Sequence, residues 1–187
     1  MKDRIPQMDM DALRRPEFRH RETRDILGVT DNVLQLWNKR GFVPSRIQQP
    51  EGQKTDRGNG RWYSIADIVY LRLFQLLIPY LGQGYAAIVA ANCVGAVVGA
   101  RQLMWFAEED DEISQLDPGA YLVIVSKDGR YRAELVAPTK QDPGLEEWSR
   151  TRGPDVAEVA VVINMFRVAR SLFNRIAEQK EKRKGIA

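Results

Sequence analysis

The sequence predicts a mainly α protein with a small β component. Three observations carry that expectation. Apolar residues recur at three- and four-residue spacing over several stretches, and residues that start and stop helices bracket them. A single β-branched run at 121–126 meets Asp128-Gly129, a two-residue hairpin turn, with a return strand at 131–136. With 187 residues and 44% apolar content, the chain can hold one sizeable domain or a small module plus a companion.

Residues 1–20 are polar and punctuated by proline, the pattern of a flexible arm. A short helix follows at 21–27. Gly28-Val29-Thr30 then makes a turn, with Thr30 as N-cap of a second helix at 31–40. That helix buries Val33, Leu34 and Trp37 and stops at Gly41. Two short helices joined across a Gly-containing turn form a helix-turn-helix unit. Phe42-Val43-Pro44 leads into a polar, Gly-rich stretch that returns at Arg61-Trp62-Tyr63, read as a hairpin wing with a long tip. Ser64-Ile65-Ala66-Asp67 has the form of a helix cap, and Ile65, Ile68, Leu71, Phe74 and Leu77 give the next helix its buried stripe. Pro79 and Gly82-Gln83-Gly84 end that helix, and 85–92 restarts as one that continues, bent, toward Phe106.

A lone two-stranded hairpin is marginal, so the 121–136 hairpin has to pack on helices or pair with a partner chain. The last element, 154–183, reads as a helix with Pro154 in its first turn. Val156, Val159, Ile163, Phe166, Phe173 and Ile176 fit a heptad seam with Ala169 and Arg170 as an imperfect layer, a candidate dimerisation surface. At about 1.5 Å per residue it would span roughly 45 Å, longer than a small domain requires. The organisation expected is an arm (1–20), a first domain (21–92), and an α/β effector or interaction and dimerisation region (93–187).

Composition narrows the functional classes. One cysteine, Cys93, excludes an intrachain disulfide framework, and one histidine, His20, set in the arm, leaves little for a metal site or a catalytic triad. Glu108, Glu109, Asp110, Asp111, Glu112 and Asp117 form an acidic run that reads as a solvated face. Met104, Trp105, Phe106, Tyr121 and Trp148 could line an apolar pocket, although a core under the hairpin is the plainer reading. There is no P-loop and no dinucleotide fingerprint. The expectation is no enzyme, no cofactor and no metal. The charged N-terminus shows no signal peptide, and the apolar stretch 85–100 falls short of a spanning helix, so a cytoplasmic, nucleoid-associated protein is expected.

Charge is distributed unevenly. Between residues 14 and 61 there are eleven Lys/Arg against six acids, the asymmetry of a chain whose front part meets a polyanion. The order of Leu27-Gly28-Val29-Thr30, Leu34, Trp37, Gly41-Phe42-Val43-Pro44-Ser45-Arg46, Arg61-Trp62-Tyr63-Ser64, Asp67 and Ile68 resembles the MerR family of transcription regulators. That resemblance covers about a third of the chain and implies a winged helix-turn-helix head, a helical dimer element and double-stranded DNA as partner. Gln35 stands where the family usually has Arg, Asn38 where it usually has Glu, and the wing tip between Arg46 and Arg61 is longer than usual.

The residue chemistry agrees. Thr30, Asp31, Asn32, Gln35 and Asn38 offer short polar and amide groups to base edges, and Asn and Gln pair with adenine in the major groove. Lys39, Arg40, Arg46 and Arg61 would hold phosphates, Lys54 and Arg57 of the wing tip would add groove contacts, and Tyr63 is a further hydroxyl donor. Trp37 and Trp62 read as packing residues. The function expected is a homodimeric, sequence-specific regulator of transcription, with RNA polymerase or another protein as a partner for the C-terminal region and no membrane. An excisionase-like architectural factor and a DNA-anchored protein-interaction module are the alternatives.

Overall fold

The computed structural model describes residues 10–43, 61–109, 121–127, 130–136 and 159–185. In chain order these form α1 (Met10–Arg14), β1 (Phe18–Arg19), α2 (His20–Leu27), α3 (Asp31–Lys39), β2 (Trp62–Tyr63) and α4 (Ile65–Glu109). After them come β3 (Tyr121–Lys127), β4 (Arg130–Val136), β5 (Val159–Asn164) and α5 (Met165–Lys184). The protein is mainly helical with two small antiparallel sheets, β1-β2 and β4-β3-β5. It divides into two compact units, Met1–Val94 with Arg175–Ala187, and Gly95–Asn174. The last turns of α5 thus belong to the first unit, where a single C-terminal region at 93–187 was expected.

In the first unit the caps form as their residues dictate. Thr30 Oγ1 accepts from the Val33 N–H at 3.4 Å and starts α3. At the end of α3, Gly41 takes φ 74° while its N–H bonds Asn38 O and the Phe42 N–H bonds Trp37 O, a Schellman ending. Ser64 and Asp67 cap α4 reciprocally: Ser64 Oγ accepts from the Asp67 N–H, and Asp67 Oδ2 accepts from the Ser64 N–H and hydroxyl. Helix α4 runs through Pro79 and is broken at Gly82, whose φ 67° and ψ 171° are open to glycine alone. The expected stop and restart is found at Gly82, where two helices meet across a kink.

The core of this unit is aromatic and aliphatic. Phe74 of α4 meets Trp37 edge-on at 5.2 Å, Phe42 at 5.2 Å and Tyr70 in a stack at 6.1 Å. Phe18, Leu34, Ile68, Leu71 and Leu77 are fully buried with it. By length and composition alone, Ile65–Val98 is apolar enough to cross a membrane, where the sequence reading had weighed only 85–100. Ile68, Leu71, Phe74 and Leu77 of this stretch are buried in the core, and 39% of its apolar window is buried.

Two expectations fail here. The arm is structured from Met10 onward, because Phe18 is buried and β1 pairs with β2 (Phe18↔Tyr63, Arg19↔Trp62). The long helix at 154–183 is a strand followed by a helix. Val159, Val161, Val162 and Ile163 are β-branched and form β5 against β3, and Asn164 then starts α5 by accepting from the Arg167 N–H at 2.9 Å. The 121–136 hairpin thereby acquires its third strand from its own chain. The Asp128-Gly129 turn lies outside the described residues.

Gly28 closes α2 at φ 68°, and a Cβ there would approach Arg175 Nη1 to 3.1 Å, whereas a Cβ at Gly41 would meet nothing within 4 Å. Each glycine-to-alanine change is expected to cost about 1 kcal/mol for the left-handed backbone. Gly28→Ala should cost slightly more, because the Arg175 guanidinium must give by a few tenths of an ångström and its bond to Ile26 O is disturbed. Urea denaturation checks this, and the excess should vanish in an Arg175→Ala background.

Candidate nucleic-acid interface

Helix α3 has two faces. Leu34 and Trp37 are buried, while Asn32, Gln35, Lys39 and Arg40 are exposed and Asp31 is half-buried. The α2–Gly28-Val29-Thr30–α3 connection fixes this split, since both helices bury their apolar sides in the same core. Thr30 caps α3 and is itself exposed. Arg40 donates from Nη1 to Gln83 Oε1 at 2.8 Å, which fastens the end of α3 to the α4 bend.

Two of the expected contact residues turn inward. Tyr63 is 2% exposed. Its hydroxyl accepts from Asn38 Nδ2 at 2.9 Å and lies 3.1 Å from His20 Nδ1. Burial pushes the Tyr63 hydroxyl above its ordinary pKa, so it stays protonated as a donor. The other N–H of the Asn38 amide goes to Leu34 O at 2.8 Å. Its Oδ1 is buried without a hydrogen-bond partner among the described residues. Neither residue presents a free polar group to a groove.

Arg61 precedes β2 and is half-buried, with Nη1 buried and lacking a hydrogen-bond partner among the described residues. Beside it, the Arg19 guanidinium lies over the Trp62 ring at 5.3 Å from the centroid. Among the described residues Trp62-Tyr63 pairs with β1, at the start of the head. Arg46, Lys54 and Arg57 lie outside the described residues, as does the wing tip.

Sequence reasoning missed two contributors. His20, assigned to the arm, opens α2 and bridges Tyr63 to Asp31, with Nε2 3.0 Å from Asp31 Oδ1. The end of α5 is the other. Arg183 donates to both Glu22 oxygens at 2.5 and 2.6 Å and to Glu17 O at 2.9 Å, and Lys180 pairs with Glu17 at 2.9 Å. Both cations also cover the buried Phe18 ring. No local signal marks these contacts, which join residues more than 140 positions apart.

The expected dimer seam is dispersed. Val159 and Ile163 lie on β5, Phe166 and Phe173 are half-buried on α5, Ile176 is 4% exposed, and Val156 lies outside the described residues. Among the described residues no group of three His, Cys, Asp or Glu could hold a metal. Burial pushes the Cys93 thiol up, away from the reactive thiolate. Asp110–Asp117 of the acidic run and Trp148 are outside the described residues. No family model matches the chain, and no curated protein matches it either.

Burial would raise the Glu22 carboxyl, but the Arg183 hydrogen bond, the Arg19 backbone N–H and both guanidinium charges outweigh it and hold the group below its ordinary 4.5. A lowered folded-state pKa gives stability that is present above 4.5 and lost as the pH falls through the folded value. Glu22→Gln is therefore expected to cost about 1 kcal/mol at neutral pH. In thermal melts, its deficit against the parent should narrow as the pH drops below 4.5.

Proposed function

We propose that this chain is a homodimeric, sequence-specific DNA-binding regulator of transcription, of MerR type, with a winged helix-turn-helix in its first unit. The observation that carries the reading is the exposed polar face of α3 and its C-cap (Asn32, Gln35, Lys39 and Arg40), set over the buried Leu34 and Trp37 beside β2. On this reading α3 enters the major groove, with Asp31, Asn32 and Gln35 toward base edges and Lys39 and Arg40 toward phosphates. Arg61, half-buried just before β2, is on this reading a phosphate contact beside α3.

Two copies would read two half-sites. Support for self-association comes from α4, which carries no charged residue between Arg72 and Arg101 yet leaves Tyr80 at 56% and Ile88 at 60% exposed. Light scattering on Ile88→Asp is expected to report a monomer where the parent is a dimer. A parent that is itself monomeric would remove the dimer from the proposal.

The DNA claim is tested by titrating duplex DNA at several salt concentrations. Affinity should fall steeply with salt, and Arg61→Ala should weaken binding on all sequences and reduce the slope by about one. Unchanged binding by that variant would take Arg61 out of the interface, and salt-independent binding by the parent would remove the reading.

A further inference from the structure

We infer that His20 sets the base preference of α3, as the middle link of a hydrogen-bond chain that orients the Gln35 amide for adenine. The inference rests on the DNA-binding reading above and deepens it.

The chain starts at the Leu34 carbonyl, which can only accept. The Asn38 amide must therefore turn its nitrogen toward it, at 2.8 Å, and the second hydrogen on that nitrogen reaches Tyr63 Oη at 2.9 Å. Tyr63 Oη also lies within hydrogen-bond reach of His20 Nδ1, at 3.1 Å. The His20 Nε2–H points at Asp31 Oδ1 at 3.0 Å, since a carboxylate can only accept. The other Asp31 oxygen, Oδ2, accepts from Gln35 Nε2. The two partners that can only accept, the Leu34 carbonyl and the Asp31 carboxylate, therefore each face a donor.

At the exposed end, Gln35 keeps one N–H and its carbonyl free. An unanchored glutamine amide can turn over and present either group in a given direction. Asp31 removes that freedom by holding the nitrogen side. Adenine offers N7 as acceptor and N6–H as donor, matching one N–H and one C=O, whereas guanine offers two acceptors and would meet the amide carbonyl with O6. His20 touches no base on this account. It is a positioning residue, acting through Asp31.

The test uses the full chain and duplexes drawn from a randomised library, with A·T exchanged for G·C one position at a time. The parent should favour A·T at one position of each half-site by roughly tenfold, and Gln35→Ala should abolish the preference there. His20→Ala should reduce the preference at the same position to within about threefold, while its affinity for random-sequence DNA and its salt slope stay unchanged. His20→Gln, whose amide can accept from Tyr63 and donate to Asp31, should restore much of the preference. An unaltered preference in His20→Ala would overturn the inference, as would a loss of affinity spread evenly over all positions. If the parent shows no salt-dependent binding to any duplex, the DNA reading falls and this inference falls with it.

Discussion

The arrangement of the first unit depends on how Phe74 is buried. Its ring is fully enclosed, and the rings that enclose it come from three places in the chain: Trp37 on α3, Phe42 just past the end of α3, and Tyr70 one turn back on α4. Aromatic pairs prefer edge-on or offset contacts, so each neighbour also fixes an angle. Trp37 sets the rotation of α3 about its axis, and Phe42 sets where the chain goes once Gly41 has ended the helix. With that rotation set, Leu34 points inward and Gln35 outward. The polar face of α3 is in this sense a consequence of the apolar one.

Above this core lies a partly buried polar layer, and its cost is offset by pairing. Tyr63, Asn38, His20 and Asp31 satisfy one another at the junction of α2, α3 and β2, leaving Asn38 Oδ1 as the orphan. On the other flank of α2, Lys180 meets Glu17 and Arg183 meets Glu22, which also accepts from the Arg19 N–H. Those two cations also lie against Phe18, so the stem of each covers an aromatic ring while its head neutralises an acid. The first unit is accordingly completed by residues at the far end of the chain.

What was legible in the sequence was local. Thr30, Gly41, Ser64 and Asp67 marked helix ends because capping depends on a few adjacent backbone groups, and the α3 and α4 stripes followed from helical period alone. What was not legible depended on partners distant in sequence. Phe18-Arg19 gave no strand signal of its own and is a strand because Trp62-Tyr63 pairs with it. Val159, Ile163 and Phe166 matched a heptad, yet strand propensity and the open edge of β3 took the first two. For the candidate site, the exposure of Asn32, Gln35 and Lys39 followed from the buried stripe. The inward turn of Asn38 did not, since it requires Tyr63 to arrive from 25 residues away.

The same polar layer joins the two amides of α3, Gln35 and Asn38. Each looks unrelated to the other when taken singly. In the fold they are the two ends of one hydrogen-bond series running through Tyr63, His20 and Asp31. A glutamate at 38 has no N–H to give the Leu34 carbonyl or the Tyr63 hydroxyl. An arginine at 35 would pair with Asp31 as a full charge and leave no amide carbonyl to meet a donor. The two amides are joined through Asp31, whose carboxylate accepts from His20 on one oxygen and from Gln35 on the other.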